Sequence, residues 1–400
     1  MKRLLIYTLR FILLFTSLAV VTDGMAPEVA AARRTTSKKS RKTGKSRSKK
    51  RNLSNRKGAG KYSSRRNSKR SRAQRVTAVQ NLLNTPDSTI WVRKGLKDII
   101  IYKDSLGVVR AMTPYAVNGS AARKYASAVN RYAERLDTMG VKVYTLLVPS
   151  QGEYYMPEIA STRGAEKRTI EIAASSLSPL ATGVLINDTM AAHLDEEIYS
   201  RTDHHWAPLG AYYGAKAFAA VAGVPFRPLS DYEARTVHNY VGTMHKFSGD
   251  AEITKYPEEF VYYMPPTGYK SEFITYSMEN GAVKESAPHE ENFFREYPDG
   301  SGAAYSTFMG GDYRAVKVTD TGGPVGRKLL IVKDSYGNAL APCLFGSFEE
   351  VHVLDFRYFP HNLIDYVSEN GITDMVFVNV LSIGMSPTFV ERLNIMLEQK

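Results

Sequence analysis

From about residue 76 onward, short apolar runs alternate along the chain with longer segments of helical spacing. Val141–Val148 is rich in apolar and β-branched residues, which is typical of a strand buried on both faces of a sheet. Ser120–Thr138 places apolar side chains three to four residues apart, which predicts an amphipathic helix. Further strands are predicted at Lys328–Val332, Glu350–Leu354 and Asp374–Val378. The alternation predicts an α/β fold with a mostly parallel sheet.

Two parts of the chain stand apart from this simple alternation. The pattern in Met190–Tyr199 predicts a helix that leads into a histidine-rich stretch. Residues from about 231 to 325 are rich in Tyr, Gly and Pro and show weak periodicity. They predict an inserted, irregular, β-rich lobe of short strands and loops. A substrate-facing cover and a purely structural excursion fit that composition equally well.

The N-terminus has the pattern of a targeting segment. Lys2 and Arg3 precede an apolar stretch, Leu4–Val21, which only Arg10 interrupts. This predicts that residues 1–26 are a secretory signal peptide or an uncleaved N-terminal anchor, with a buried core helix as the alternative. The basic residues that follow oppose translocation, which is a conflict within the pattern. We expect an exported, periplasmic protein, held at the inner membrane if the segment is retained.

Positive charge is concentrated in one segment. Residues 33–75 hold 20 Lys or Arg and no acid, whereas 76–400 hold 30 basic and 38 acidic residues, a net charge of −8. Residues 27–75 are predicted to be disordered, because they contain too little apolar surface to offset the entropy of ordering. They form either a solvated spacer or an arm that binds an anionic polymer or membrane surface. Nucleic acid is not predicted, since only Tyr62 could stack on bases. Cys343 is the single cysteine, which excludes an intramolecular disulfide.

The candidate chemistry begins with the run Asp203, His204, His205 and Trp206. Imidazole moves protons near neutral pH, and a carboxylate two residues away can orient it. The best candidate nucleophile is Ser335, which follows an apolar strand and precedes a helix that starts with small residues. Such a turn exposes the serine hydroxyl, and the helix N-terminus favours a developing oxyanion. We therefore hypothesise that Asp203, His205 and Ser335 form one acyl-transfer site.

Each of these residues has a plainer interpretation. Ser335 could be an ordinary helix N-cap, for which serine is favoured. The G-x-S-x-G pattern is absent, because Lys333 occupies its first position. Asp203 and His205 could ligate a metal, although the other histidines show no metal-ligand spacing with them. No metal and no cofactor is predicted.

The motif Asp203–Trp206, with Lys333–Tyr336 downstream, resembles the DHHW protein family. That family is similar to the alginate O-acetylation proteins of the SGNH hydrolase-like superfamily. The resemblance covers residues 76–400 and implies a three-layer SGNH-like catalytic domain, with the insertion at about 231–325. Lys333 stands where typical members have the glycine of a Gly-Asp-Ser block.

The resemblance implies that Asp203 orients His205, that His205 is the general base and that Ser335 is the nucleophile. The backbone N–H of Ser335 is one candidate oxyanion donor. Other candidates for oxyanion or substrate contacts, with Gln151 as a weaker one, are Asn379, Asp334, Arg357 and Tyr336. Asn379 is chosen only for its place at a strand end, where a turn-forming role is the alternative. Arg357 could instead form an ion pair with Asp355.

The activity implied is Ser-His-Asp acyl transfer, with a cell-envelope polysaccharide as acceptor of an O-acetyl group. A membrane-bound O-acyltransferase is the partner expected to donate the acetyl group. Two alternatives use the same sequence features. One is a secreted SGNH-type carbohydrate esterase, and the other is a non-catalytic polysaccharide-binding module.

Overall fold

A computed structural model describes residues 91–399, apart from 105, 267 and 281, and short pieces between 74 and 84. The predicted leader, 1–26, lies outside the described residues, as does the basic segment 27–75 except for its last two residues. Within the described chain, no helix combines the length and the apolar content that crossing a membrane requires.

Short strands and helices alternate along the described chain. The strands are β1 Trp91–Lys94, β2 Ile100–Lys103, β3 Val109–Met112, β4 Lys142–Val148, β5 Ala181–Gly183, β6 Glu233–Tyr240, β7 Glu258–Met264, β8 Lys270–Glu279, β9 Ala282–Glu285, β10 His289–Glu290, β11 Arg314–Thr319, β12 Lys328–Lys333, β13 Glu350–Asp355 and β14 Asp374–Val380. The α-helices are α1 Gly119–Asp137, α2 Gly152–Tyr155, α3 Ala165–Ala174, α4 Asn187–Ala191, α5 Pro208–Ala222, α6 Met244–Ser248, α7 Tyr336–Leu340, α8 Leu363–Asn370, α9 Leu381–Gly384 and α10 Pro387–Glu398.

The main sheet runs in the order β10-β8-β11-β13-β12-β14-β4-β5. Strands β13, β12, β14, β4 and β5 are mutually parallel, and Lys333 of β12 lies in register between Asp355 and Val378. At the other edge, β11 is antiparallel to both β13 and β8, and β10 is antiparallel to β8. The predicted α/β fold is thus present, and the mostly parallel sheet is confirmed only in part.

Apolar side chains from helices pack on both faces of the parallel strands. One core cluster holds Phe218 of α5, together with Trp206 from the loop before it, against alternate residues of β12 and β14. The other holds Tyr125 of α1 and Phe389 of α10 against the intervening residues of the same strands. Burying a large apolar side chain contributes about 1.5–3 kcal/mol, so these two layers hold the sheet in place.

The predicted helix at Ser120–Thr138 corresponds to α1, which begins one residue earlier. Its Asn118 cap accepts a hydrogen bond from Ala121 N at 3.2 Å. Its apolar stripe, which includes Tyr125 and Tyr132, is fully buried. The 3.6-residue period of those side chains faces them all to the sheet, which is why the spacing predicted the helix correctly.

The segment 231–325 combines sheet strands with loops. Its strands β8 and β11 extend the main sheet, whereas β6 and β7 form a separate two-stranded antiparallel ribbon. A short 3-10 helix, Ala304–Thr307, follows a long irregular stretch. The segment therefore continues the sheet at one edge and supplies loops beyond it.

The carboxyl ends of the parallel strands place the sequence-predicted residues at one edge. Ser335 follows β12, Arg357 follows β13, Asn379 lies near the end of β14, and Gln151 follows β4. Open α/β sheets bind ligands at this edge. The candidate site is therefore sought there.

Candidate active site

The stretch that carries the histidines is a loop held by a buried carboxylate. Tyr199 and Trp206 pair across its base as an isolated antiparallel bridge. Glu258, at the start of β7, accepts hydrogen bonds from the Ser200 hydroxyl at 2.6 Å and from the backbone N–H groups of Arg201 and Thr202 at 2.8 and 2.7 Å. These bonds satisfy loop backbone groups that no regular element satisfies, and they fix where the following residues point.

Asp203 is buried and accepts hydrogen bonds from both sides. Its Oδ2 accepts from Nδ1 of His205 at 2.8 Å and from the Tyr240 hydroxyl at 2.9 Å, and its Oδ1 accepts from Thr243 N at 3.0 Å. Burial alone would raise the pKa of Asp203, but the imidazoles of His204 and His205 outweigh it and hold that pKa well below its usual value. The carboxylate is therefore ionised at neutral pH.

His205 lies between Asp203 and Ser335. Its Nε2 is 2.7 Å from Ser335 Oγ, while its Nδ1 faces the carboxylate. The ring is stacked on Tyr305 with centroids 3.7 Å apart and planes 4° apart. Burial, with a smaller electrostatic contribution from the neighbouring His204, lowers the pKa of His205 to about 4 against the opposing effect of Asp203. The imidazole is neutral at pH 7, so Nε2 can accept the serine proton.

Ser335 sits in the turn between β12 and α7. It is the one residue of 329–345 that is not buried. Its side chain makes no capping bond to α7 and is instead paired with His205, which argues against the simple N-cap interpretation. Gly337 makes the turn possible, because a Cβ there would lie 2.4 Å from the Cβ of Lys333. The hydroxyl is thus presented to the imidazole from a buried, tightly packed turn.

The two motifs also contact each other directly. Trp206 Nε1 donates to the carbonyl of Tyr336 at 3.1 Å, and the Tyr336 hydroxyl donates to the carbonyl of His204. The Tyr336 side chain is buried, so this residue joins the histidine loop to the serine turn.

Asp334 stabilises the same turn through hydrogen bonds to backbone groups. Its carboxylate accepts hydrogen bonds from the backbone N–H groups of Tyr336 and Val380, both at 2.9 Å. Burial raises the pKa of Asp334 to about 7. Asp334 and Tyr336, predicted as oxyanion or substrate candidates, therefore make contacts that build the turn.

Arg357 belongs to a buried cluster of charges next to the turn. It forms a two-point pair with Asp355, at 2.7 and 2.6 Å, and also lies 2.8 Å from Asp312. Lys333, which is fully buried, lies 2.9 Å from Asp355 and 3.6 Å from Asp312. Burial would lower the pKa of Arg357, but the two carboxylates outweigh it and raise that pKa. Arg357 and Asp355 therefore form the ion pair that was the alternative to a substrate contact.

The remaining sequence candidates lie around the turn in different ways. Asn379 is fully buried, and neither polar atom of its amide has a partner among the described residues. Its neighbours in the alternation of β14, Met375 and Phe377, belong to the core on the α1 and α10 side. Gln151 donates to the carbonyls of Ala111 and Asp203 at 2.9 and 3.2 Å, so it supports the histidine loop. In the described chain, no hydrogen bond engages the Ser335 N–H, which remains a candidate oxyanion donor.

Sequence reasoning missed the residues that surround the triad from the segment 231–325. Tyr240 and Thr243 bond Asp203, and Tyr305 covers His205. Only the tyrosine-rich composition of the segment hinted at them. The close approach of this segment leaves no room for a side chain at Gly242, where a Cβ would lie 2.3 Å from the Cβ of Asp203.

A metal could use the same side chains. Asp203, His204 and His205 offer ligand atoms within 4.8 Å of one another. Those atoms already have protein partners: Nδ1 of His205 faces Asp203, and Nδ1 of His204 lies 2.8 Å from the Thr243 hydroxyl. The atoms that a metal would need are therefore engaged in the hydrogen bonds that link Asp203, His205 and Ser335 and that join His204 to Thr243.

Comparison with known proteins agrees with the motif. A family model described as "DHHW protein" matches residues 97–354. The chain belongs to the DHHW family. A DHHW family protein of known crystal structure, from Eubacterium siraeum DSM 15702, is 35% identical, with a TM-score of 0.67 over 77% of this chain and 99% of that one. The resemblance predicted from the sequence is thereby confirmed.

Two other solved structures are less similar to this chain in sequence and in fold. Bacillus cereus PatB1, solved with a sulfonyl adduct, is 19% identical, with a TM-score of 0.57 over 74% of the DHHW chain and 98% of its own. This likeness shows a common fold. The O-acetyltransferase domain of Pseudomonas putida AlgJ is 13% identical over 76% of this chain and 98% of its own, with a TM-score of 0.39, too low to establish one. No curated protein matches the sequence.

Proposed function

We propose that this DHHW-family protein is a serine-dependent acyl-transfer enzyme, an O-acetyltransferase that acts on a cell-envelope polysaccharide. The observation that carries the proposal is the hydrogen-bonded chain from Asp203 through His205 to Ser335. A neutral, buried imidazole between a carboxylate and an accessible hydroxyl is the arrangement that activates serine for attack on an ester.

The reaction proceeds in two balanced halves. In the first, Ser335 Oγ bonds to the acetyl carbonyl carbon and its proton passes to Nε2 of His205. The bond between that carbon and the leaving oxygen then breaks as His205 gives the proton to the leaving oxygen. In the second, a sugar hydroxyl gives its proton to His205 and attacks the acetyl-serine, and the serine oxygen leaves and takes the proton back. Asp203 stabilises the imidazolium that forms in each half.

The substrate class rests on other support. The resemblance of the motifs to the alginate O-acetylation proteins favours a polysaccharide acceptor and an acetyl group. The apolar segment Leu4–Val21 favours export to the periplasm, with the N-terminus either cleaved or retained as an anchor. A membrane-bound O-acyltransferase would supply the acetyl group across the membrane.

The first test is covalent labelling with phenylmethanesulfonyl fluoride, followed by peptide mapping by mass spectrometry. The choice of reagent follows the sulfonyl adduct in PatB1, which shares this fold. We expect the wild-type protein to be modified on Ser335, with no elevated rate of labelling on its other serines. The Ser335→Ala variant should not be modified at that position. Label distributed over exposed serines, with none on Ser335, would argue for the non-catalytic binding module.

The second test separates transfer from hydrolysis. An aryl acetate is supplied as donor, with and without envelope oligosaccharides, and the products are followed by mass spectrometry. Acetylated sugar supports the transferase. If free acetate is the only product, and its rate of formation does not depend on oligosaccharide, the protein is an esterase and the transferase proposal is wrong. Loss of the base in His205→Ala should lower either rate by about 10²–10⁴-fold.

A further inference from the structure

Tyr305 contacts both His205 and Ser335 from a segment outside the two sequence motifs. Its ring lies parallel to the imidazole of His205 at a centroid distance of 3.7 Å. Its hydroxyl donates to the backbone carbonyl of Ser335 at 3.0 Å. The side chain is 8% exposed and packs on Phe260 and Phe308, so its own position is well determined.

The stack leaves the imidazole little freedom. The ring of His204 also lies 3.7 Å from that of His205, tilted by 39°. Two rings this close cannot share one face of an imidazole, so Tyr305 and His204 cover opposite faces. Rotation of His205 about its Cβ–Cγ bond would drive it into one of them. Its Nε2 is therefore held in the direction of Ser335.

The hydroxyl of Tyr305 contacts the backbone of Ser335. The Ser335 carbonyl also accepts from Asn338 N at 3.2 Å, within the first turn of α7. Tyr305 adds a second donor from across the site, which fixes the peptide plane next to the nucleophile. Burial raises the pKa of Tyr305 well above its usual value, so the phenol keeps its proton at neutral pH.

We propose that Tyr305 is the positioning residue of this site: its ring sets the orientation and burial of His205, and its hydroxyl sets the conformation of the Ser335 turn. The proposal deepens the function proposed above and rests on it for the catalytic readouts. It also assigns a task to the segment 231–325, namely to complete the active site from outside the parallel sheet.

The ring and the hydroxyl can be tested separately. Tyr305→Phe keeps the stack and removes the bond to Ser335. Tyr232→Phe is a matched control, because Tyr232 is also 8% exposed and donates to a backbone carbonyl, that of Cys343, at 3.1 Å. We expect Tyr305→Phe to slow sulfonyl labelling of Ser335 by about threefold to tenfold, the scale of one net hydrogen bond, and Tyr232→Phe to leave it unchanged.

The ring is tested by the titration of His205, followed by NMR of the imidazole and assigned with His205→Gln. The groups that face this imidazole are Asp203, His204, Asp312, Tyr305 and Tyr336. Tyr305→Leu opens one face to water and should move the titration midpoint up toward the ordinary value of about 6.5. Tyr305→Phe and Tyr232→Phe should leave the midpoint in place.

The outcomes distinguish this inference from the proposed function. Wild-type protein that never labels at Ser335 contradicts the function, while the titration still reports the contact between Tyr305 and His205. Wild-type labelling with an equal rate in Tyr305→Phe, or an unmoved midpoint in folded Tyr305→Leu, overturns the positioning role. Should Tyr305→Leu not fold, the comparison of Tyr305→Phe with Tyr232→Phe decides by itself.

Discussion

Asp203 shows how one side chain can serve both chemistry and structure. It accepts from His205 and Tyr240 on one oxygen and from Thr243 on the other. The bond to Nδ1 leaves Nε2 of His205 unprotonated and facing Ser335. An amide at this position could present a donor where an acceptor is needed, which would favour the opposite tautomer.

We therefore expect Asp203→Asn to fold and to lose turnover of an acetyl ester by about 10²–10⁴-fold. The control is Asp188→Asn, which removes an exposed carboxylate paired with Lys167. Steady-state kinetics, with thermal melting as the check on folding, measure both variants. Turnover within about twofold of wild type in Asp203→Asn would remove this carboxylate from the mechanism.

The pH dependence follows from the lowered pKa of His205. The base form is required, and the folded pKa is about 4, below the ordinary value of 6.5. We expect kcat/KM to stay level as the pH falls from 7 to 5 and to decline only near pH 4. The measurement is the rate of acetyl-ester turnover against pH, corrected for unfolding by circular dichroism. An acid limb centred near 6.5 would contradict this environment for His205.

The free energy of unfolding should also decrease at acidic pH because of the lowered pKa of His205. A histidine whose pKa is lower in the folded state binds fewer protons there than in the unfolded chain. Protonation therefore favours the unfolded chain, and the free energy of unfolding falls as the pH drops from 6.5 toward 4. In His205→Gln this part of the pH dependence should disappear from urea unfolding curves.

At the residue scale the sequence predicted that Asp203, His205 and Ser335 come together, which the hydrogen bonds between them show, but it did not predict the residues around them. The spacing of Asp203 and His205 and the strand-to-helix context of Ser335 were visible in the chain. Whether Ser335 caps a helix or faces a base depends on a contact between residues 130 positions apart. Local preferences are the same in both cases, so only the tertiary contact separates them.

At the element scale the histidine loop depends on a strand that lies far along the chain. Glu258 opens β7, and its carboxylate bonds Ser200, Arg201 and Thr202. These bonds replace the ladder or helix bonds that a loop lacks. The loop therefore keeps its shape only while both carboxylate oxygens accept.

We expect Glu258→Gln to lower stability by about 1–3 kcal/mol, because the amide offers one acceptor oxygen where two are used. Acetyl-ester turnover should fall with it, since the loop carries Asp203 and His205. Glu259→Gln is the matched control: the neighbouring carboxylate is exposed and pairs with exposed His238, a type of pair worth at most about 1 kcal/mol. Urea unfolding and turnover of both variants give the comparison, and equal losses in the two would contradict the role of Glu258.

Helix periodicity worked where a helix packs on the sheet and failed where a loop is held by side chains. The predicted helix Met190–Tyr199 is observed as the short α4, which ends at Ala191. Beyond it, Tyr199 pairs with Trp206, and its hydroxyl donates to the carbonyl of Pro149 at 2.8 Å. Those long-range bonds override a weak local preference, and a one-dimensional pattern does not contain them.

At the scale of the whole molecule, charge separates two parts of the sequence. The 20 basic residues of 33–75 precede a chain, 76–400, with a net charge of −8. We expect a segment of this composition to bind anionic surfaces through charge, and such binding would weaken with salt. The proposed acyl-transfer site, Asp203, His205 and Ser335, lies entirely in the acidic part.

We predict that deleting residues 27–75 leaves turnover of a small acetyl ester unchanged and abolishes the salt-sensitive part of retention on an anionic polysaccharide column. Retention is measured from low salt to about 1 M, where charges more than about 3 Å apart are screened. A full-length protein whose retention ignores salt, or a deletion variant retained equally well, would assign polymer binding to the rest of the chain.

The sequence by itself determined the alternating α/β pattern, the motif that carries the imidazole and the serine turn, because each depends on side chains close together along the chain. Tertiary structure alone decided that the antiparallel strands β8 and β11 extend the sheet, that Ser335 faces His205, and that Tyr240 and Tyr305 complete the site. These depend on contacts across tens to hundreds of residues, and the free energy of such contacts comes from packing and buried hydrogen bonds that no local pattern records.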